Sequence, residues 1–246
     1  MYPDIMLGTW KISAYVLFTY LAFFAALAYT YPKLIYVEKI SQKQVLIYLV
    51  LIFFVQQYGG QLIPAIYRWY QHKTLPLNVI WKNPGRYFHS VVLSTIAFII
   101  IYCKINKWAT NRILDYFAIA AALMSAIGRI GCFLNGCCGG RHTSLPWGVI
   151  FPNDTNPVHP TQLYHFGFEL FILFPLLIWI NKRKRFEGET FWMFVWIYSF
   201  FRFWIEFLRT NMRVYAGLTH AQIFSAVAVF VSGIILIRKY RKSKAV

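Results

Sequence analysis

The chain has 246 residues, of which 59% are hydrophobic, 20% aromatic and 13% charged. Soluble domains run at about 45–50% apolar and about 25% charged, so this composition excludes a disordered chain, a collagen-like chain and a nucleic-acid-binding arm. The formal net charge of +17 sits between long apolar runs, where basic loops orient a membrane protein, so nucleic acid is not an expected partner. Four cysteines, three of them clustered, are too few for a secreted disulfide scaffold.

Seven apolar runs predict an all-α membrane protein with seven transmembrane helices, at 13–31, 45–67, 88–103, 114–135, 163–181, 190–208 and 217–237. Each is near the roughly 20 residues that a bilayer core requires. The first run follows neither a charged n-region nor a small-residue cleavage site, so it is expected to stay as a span. The second carries Gln56, Gln57, Gly59 and Gly60, which predict a break or bend. The third is short and extends back through His89. No repeat or low-complexity linker divides the chain, and residues 1–246 read as a single polytopic domain. With the N-terminus outside, the inner loops and tail hold fifteen basic residues and the outer segments eight. That asymmetry predicts an outside N-terminus and a cytoplasmic C-terminus. Trp10, Trp69, Trp81, Trp108 and Trp147 read as an interfacial belt.

The informative residues are ionisable groups within apolar runs, where an isolated charge costs at least about 2.5–3.5 kcal/mol. Arg129 lies at the end of the fourth run. Tyr198, Arg202 and Glu206 follow one another at intervals of four in the sixth, and so share a helical face, which Arg209 continues. The plain reading of Arg202 and Glu206 is a structural ion pair. Arg129 shifts the balance, because one glutamate cannot neutralise two arginines. Two guanidinium forks suit a phosphate, and in a membrane the obvious phosphate is a phospholipid head group. Between these runs, residues 128–151 read GRIGCFLNGCCGGRHTSLPWGVIF. Such a glycine-rich stretch predicts a helix that opens into a loop covered by protein or water. The segment HPTQLYH, residues 159–165, then leads into the fifth span, with Thr161 as its predicted cap.

These motifs together resemble the bacterial prolipoprotein diacylglyceryl transferase family. The family run G-R-x-G-N-F-x-N-G-E-x-x-G-R is matched by Gly128 to Arg141, and its P-W/F segment by Pro146-Trp147. H-P-S-Q-L-Y-E is matched by His159 to His165, and Y-x-x-x-R-x-x-x-E-F-x-R by Tyr198, Arg202, Glu206, Phe207 and Arg209. The resemblance implies transfer of a diacylglyceryl group from phosphatidylglycerol to the lipobox cysteine of a preprolipoprotein, in the bacterial inner membrane, with no cofactor and no metal. It implies that Arg129 and Arg202 clamp the phosphate and that His89 takes the thiol proton. Tyr15, Asn135, Tyr198, Glu206 and Arg209 would complete a substrate-binding cavity.

Three positions depart from the family pattern. Cys132 stands for an asparagine, Cys137 for the glutamate of N-G-E, and His165 for the glutamate after Q-L-Y. Ser90 and Val91 also replace the two glycines that follow the family's histidine. The cysteines leave three readings open: packing or a disulfide, a thiol that carries an acyl or glyceryl group, and, together with His142, a soft-metal site. Two rival functions are a same-fold enzyme with another acceptor, and a non-catalytic lipid-binding or transport protein.

Overall fold

A computed structural model describes residues 4–7, 10–71, 88–152 and 154–244. The protein is mostly helical. Among the described residues, six helices are long and apolar enough to cross a membrane: Ala14–Val37, Gln42–Tyr70, Thr110–Leu134, Thr161–Arg183, Glu189–Leu208 and His220–Ser243. Ser90–Ile105 is a shorter apolar helix at the place of the third predicted span. Large apolar side chains such as Phe24, Phe171 and Phe230 point outward, as a hydrocarbon solvent permits. This is a multi-pass membrane protein.

The residues group into two compact units: Tyr31–Leu114, and the remainder, up to Thr30 and from Asp115. In the Tyr31–Leu114 unit, a π-turn at Lys33–Val37 leads to α2 (Gln42–Gln71) and α3 (Phe88–Ile105); α1 is the preceding helix, Ala14–Pro32. Of the break or bend expected in α2, the break does not occur: the helix is continuous through residues 56–60. Its glycines serve packing instead: Gly59 leaves room for Ser94, and Ser90 Oγ donates to the Gly59 carbonyl at 2.5 Å. Tyr48 is buried in a ring cluster with Phe98, Tyr102 and Trp108. Glu38 pairs with Arg112 at 2.9 Å.

The second unit begins with an antiparallel hairpin, β1 (Asp4–Leu7) and β2 (Trp10–Ser13), which feeds α1. It continues with α4 (Thr110–Leu134) and α5 (Thr161–Gly167). A π-turn at Phe168–Leu173 joins α5 to α6 (Phe174–Arg183). Then come α7 (Glu189–Ile205) and a 3₁₀ turn at Glu206–Leu208. A small hairpin, β3 (Arg213–Tyr215) and β4 (Leu218–Thr219), precedes α8 (His220–Lys244). The two hairpins are short additions to the predicted all-α pattern.

Local chemistry explains these joints. Pro175 has no N–H to continue an α-ladder, and the Phe174 N–H reaches back to the Glu169 carbonyl, the wide bond of a π-turn. The start of α7 is held by Asp115, which is fully buried and accepts from the Gly188 and Phe191 N–H groups and from Lys184 Nζ at 2.9–3.0 Å. Ile119, Ala122, Leu173 and Leu177 form the buried apolar contact between α4 and the π-turn region.

Candidate active site

The site grows from the end of α4. Gly136 at φ +69° ends the helix in a left-handed turn, with Gly136 N–H bonded to the Phe133 carbonyl and Cys137 N–H to the Cys132 carbonyl, both at 3.1 Å. This is a Schellman ending, in which the residue after the glycine folds back onto the last helical turn. It turns the following loop toward α5 and the 3₁₀ turn.

Three hydrogen bonds then fix the loop backbone. Thr161 Oγ1 donates to the Cys138 carbonyl at 2.8 Å, Gln162 Nε2 to the Cys137 carbonyl at 2.6 Å, and Arg209 Nη1 to the Cys138 carbonyl at 3.0 Å. Cys138 itself has φ +68°, a conformation that a β-carbon disfavours. Arg141 N–H meets the Leu208 carbonyl at 2.7 Å, and Gly140 N–H the His159 carbonyl at 2.8 Å. Arg141 Nε donates to the Arg209 carbonyl. The predicted cap at Thr161 is therefore corrected: Pro160 is the N-cap residue, no side chain among the described residues caps α5, and the threonine hydroxyl binds the Cys138 carbonyl instead.

The charged wall follows. Arg202 Nη1 lies 2.7 Å from Glu206 Oε2, and Arg209 Nε lies 3.6 Å from the same oxygen. Glu206 Oε1 accepts from Asn211 Nδ2 at 2.6 Å and from Thr219 Oγ1 at 3.1 Å. Glu206 has a fully buried side chain, whereas Arg202 and Arg209 keep 16% and 10% exposure, so the arginines present a surface and the glutamate stands behind them. Arg129, one turn before Cys132 on α4, interacts electrostatically with Tyr198, Glu169, Cys132 and Cys138. Thiol hydrogen bonds from Cys132 and Cys137, reinforced by the Arg209 guanidinium, hold the Cys138 thiol below its ordinary range.

Of the residues expected from sequence, Arg129, Tyr198, Arg202, Glu206 and Arg209 converge. Asn135 is exposed at the end of α4 beside Cys137. Tyr15 is 45% exposed, on a part of α1 so close to α4 that a β-carbon on Gly131 would meet its backbone and Phe18. The side chain of His89 lies outside the described residues.

Glu169 belongs to the site as well, although no motif in the sequence marks it. It is fully buried in the π-turn, one helical turn beyond His165, and its Oε1 lies 2.9 Å from His165 Nδ1. His165 is also fully buried, and its Nε2 has no partner among the described residues. The signal was present: a carboxylate within the apolar run FGFELFILFPLLIWI, the same criterion that singled out Arg202. With it, among the described residues three guanidiniums face two carboxylates, which leaves a surplus positive charge there.

A family model described as prolipoprotein diacylglyceryl transferase matches residues 4–238. The chain is 34% identical over 187 residues to phosphatidylglycerol–prolipoprotein diacylglyceryl transferase 2 of Clostridium perfringens, covering 72% of each chain. It is 32% identical over 212 residues to the phosphatidylglycerol–prolipoprotein diacylglyceryl transferase of Finegoldia magna, covering 85% of this chain and 84% of the relative. A Geobacter sulfurreducens protein of the same description is 37% identical over 142 residues, 57% of this chain and 54% of that one.

Proposed function

The chain belongs to the prolipoprotein diacylglyceryl transferase family and is an enzyme of that class, and from this premise we propose how its residues carry the transfer of a diacylglyceryl group from phosphatidylglycerol to a prolipoprotein cysteine. The observation that carries the reading is the arginine wall, where Arg202 and Arg209 share the one Glu206 carboxylate oxygen and Arg129 adds a third guanidinium beside Tyr198 and Glu169. A phosphate offers oxygens to such donors in the bidentate geometry that guanidinium prefers.

In the reaction, the acceptor sulfur forms a bond to the glyceryl carbon that bears the phosphate. The carbon–oxygen bond to that phosphate breaks, and the electron pair leaves with glycerol phosphate. Arg129 and Arg202 hold the departing phosphate and stabilise the charge that develops on it. Glu206 positions Arg202 and Arg209 without touching the lipid. Tyr198 lies beside Arg129, while Asn135 and Tyr15 line the approach to the head group.

His89 takes the thiol proton, since the thiolate is the nucleophile. A second candidate for that role is His165. Glu169 holds its Nδ1 at 2.9 Å, the arrangement that leaves Nε2 as the basic nitrogen.

We further infer one transferase domain over 1–246 with seven spans in the bacterial inner membrane, the N-terminus outside and the C-terminus cytoplasmic. The acceptor is a lipobox peptide; nucleic acid takes no part.

The test is a transfer assay with purified protein in detergent, phosphatidylglycerol and a lipobox peptide. The expected result is a peptide mass gain of one diacylglyceryl unit with matching release of glycerol phosphate. Arg129→Ala and Arg202→Ala are each expected to lower kcat/KM by about 10²–10³-fold, as for loss of one preorganised transition-state donor. Phosphatidylglycerol binding without transfer would overturn the lipobox acceptor. Full activity in His89→Ala would move the base to His165, and the converse result would settle it on His89.

A further inference from the structure

The Sγ atoms of Cys132, Cys137 and Cys138 lie within 4.8 Å of one another, and all three cysteines are free thiols. In sequence their spacings of five and one match no familiar ligand pattern. The Schellman ending creates the cluster: it bonds Cys137 N–H to the Cys132 carbonyl, which places the two side chains where that motif usually makes an apolar contact. The left-handed backbone of Cys138 brings in the third.

We propose that these three thiols form a binding site for a thiophilic d¹⁰ cation of the Zn²⁺ type, a site that goes beyond the transferase reading. Three observations support it. First, a Zn–S bond of about 2.3 Å sets three sulfurs about 4 Å apart, so shifts of less than about 1 Å per thiol close the triangle. Second, the ligand backbone is already fixed by Thr161, Gln162 and Arg209, so ordering it on binding costs little entropy. Third, Cys138 is exposed and the other two are partly so, which gives an ion a way in and leaves the fourth tetrahedral position to water.

The charge is also apt. Three thiolates around a divalent ion carry about one net negative charge. That places a compact anion where the family run has the glutamate replaced here by Cys137. It sits next to Arg129, which interacts electrostatically with Cys132 and Cys138. Soft thiolates select Zn²⁺ and Cu⁺ over hard cations, so Mg²⁺ and Ca²⁺ are excluded.

The experiment uses the full chain, purified in detergent, reduced and stripped with a chelator, then titrated with Cd²⁺ alone. The ultraviolet thiolate-to-cadmium charge-transfer band is expected to saturate at one equivalent and to fall when Zn²⁺ is added. Cys132→Ser, Cys137→Ser and Cys138→Ser are each expected to weaken binding at least about 100-fold, while Cys103→Ser, whose thiol is buried elsewhere, leaves it unchanged. Absence of the band in monodisperse wild-type protein would overturn the proposal, whatever the variants do. So would a band that survives the triple serine variant. Thiol titration of protein purified without reductant gives the remaining check: two thiols fewer than the reduced sample would make the cluster a disulfide rather than a metal site.

Discussion

Glu206 divides its two carboxylate oxygens between two tasks. Oε2 faces Arg202 and Arg209, and Oε1 holds Asn211 and Thr219. Removing the charge alone, by Glu206→Gln, leaves two buried guanidiniums without their counter-ion. Breaking a buried pair from one side costs about 3–5 kcal/mol, so thermal unfolding in detergent is expected to fall by that equivalent. Unchanged unfolding would mean that the arginines are neutralised by another group. Of the charged residues at this wall, Arg129, Arg202, Glu206 and Arg209 were legible in the sequence, because an ionised side chain in an apolar run has few explanations. Glu169 satisfies the same criterion, but its partner was not legible, because the π-turn that sets its heading against α6 leaves no local pattern in the sequence. The role of Thr161 was not legible either. Whether a threonine at a helix start caps it or binds a distant carbonyl depends on what packs there, and no local pattern records that.

At the scale of elements, the glycines of the α4 end and its loop are not equivalent. A β-carbon on Gly140 would lie 2.5 Å from the Leu208 carbonyl oxygen and 2.8 Å from His159 Cβ, whereas one on Gly128 meets nothing within 4 Å. Gly128→Ala is expected to be neutral or to stabilise α4 by about 0.5–1 kcal/mol. Gly140→Ala is expected to destabilise by more than about 1–3 kcal/mol, the usual cost of overpacking, because backbone must move. Parallel thermal unfolding of the two variants checks the contrast, and equal midpoints would refute it. The start of α7 rests on a different device. Asp115→Ala removes the acceptor of two buried N–H groups and the partner of Lys184, with an expected loss of about 3 kcal/mol or more. Asp115→Asn keeps an acceptor and is expected to fall between wild type and Ala when unfolding is followed by the same method. The approximate positions of the spans could be read from hydropathy, since bilayer thickness fixes their length. The continuity of α2 could not, because a glycine pair predicts a break only where no neighbour fills the groove, and Ser90 and Ser94 fill it.

For the molecule as a whole, the net charge of +17 acts through its distribution. Fifteen basic residues assigned to inner loops and tail, against eight outside, set the expected orientation. A reporter active only in the cytoplasm, fused after Val246, is expected to be active, and one active only outside, fused at the same point, silent. The opposite pattern would invert the topology and put the cysteine loop on the cytoplasmic face. Charge counting yields an expected orientation because insertion itself responds to those charges. The three clustered cysteines were visible in the sequence, with a soft-metal site among their readings; the convergence of their sulfurs was not, because a helix ending rather than spacing produces it.

The π-turn at Phe168–Leu173 sets the heading of the helix before it against the helix after it. A π-turn is an α-helix carrying one residue too many, and each residue of an α-helix turns the chain by about 100°. The π-turn therefore offsets α5, which carries His165, from α6 by about one residue's turn relative to a continuous α-helix. Deletion of a single position there would leave a smoother, better-bonded helix and swing the buried histidine off the arginine wall. A regular helix would be easier to fold at this point, and it would aim the wrong residues inward.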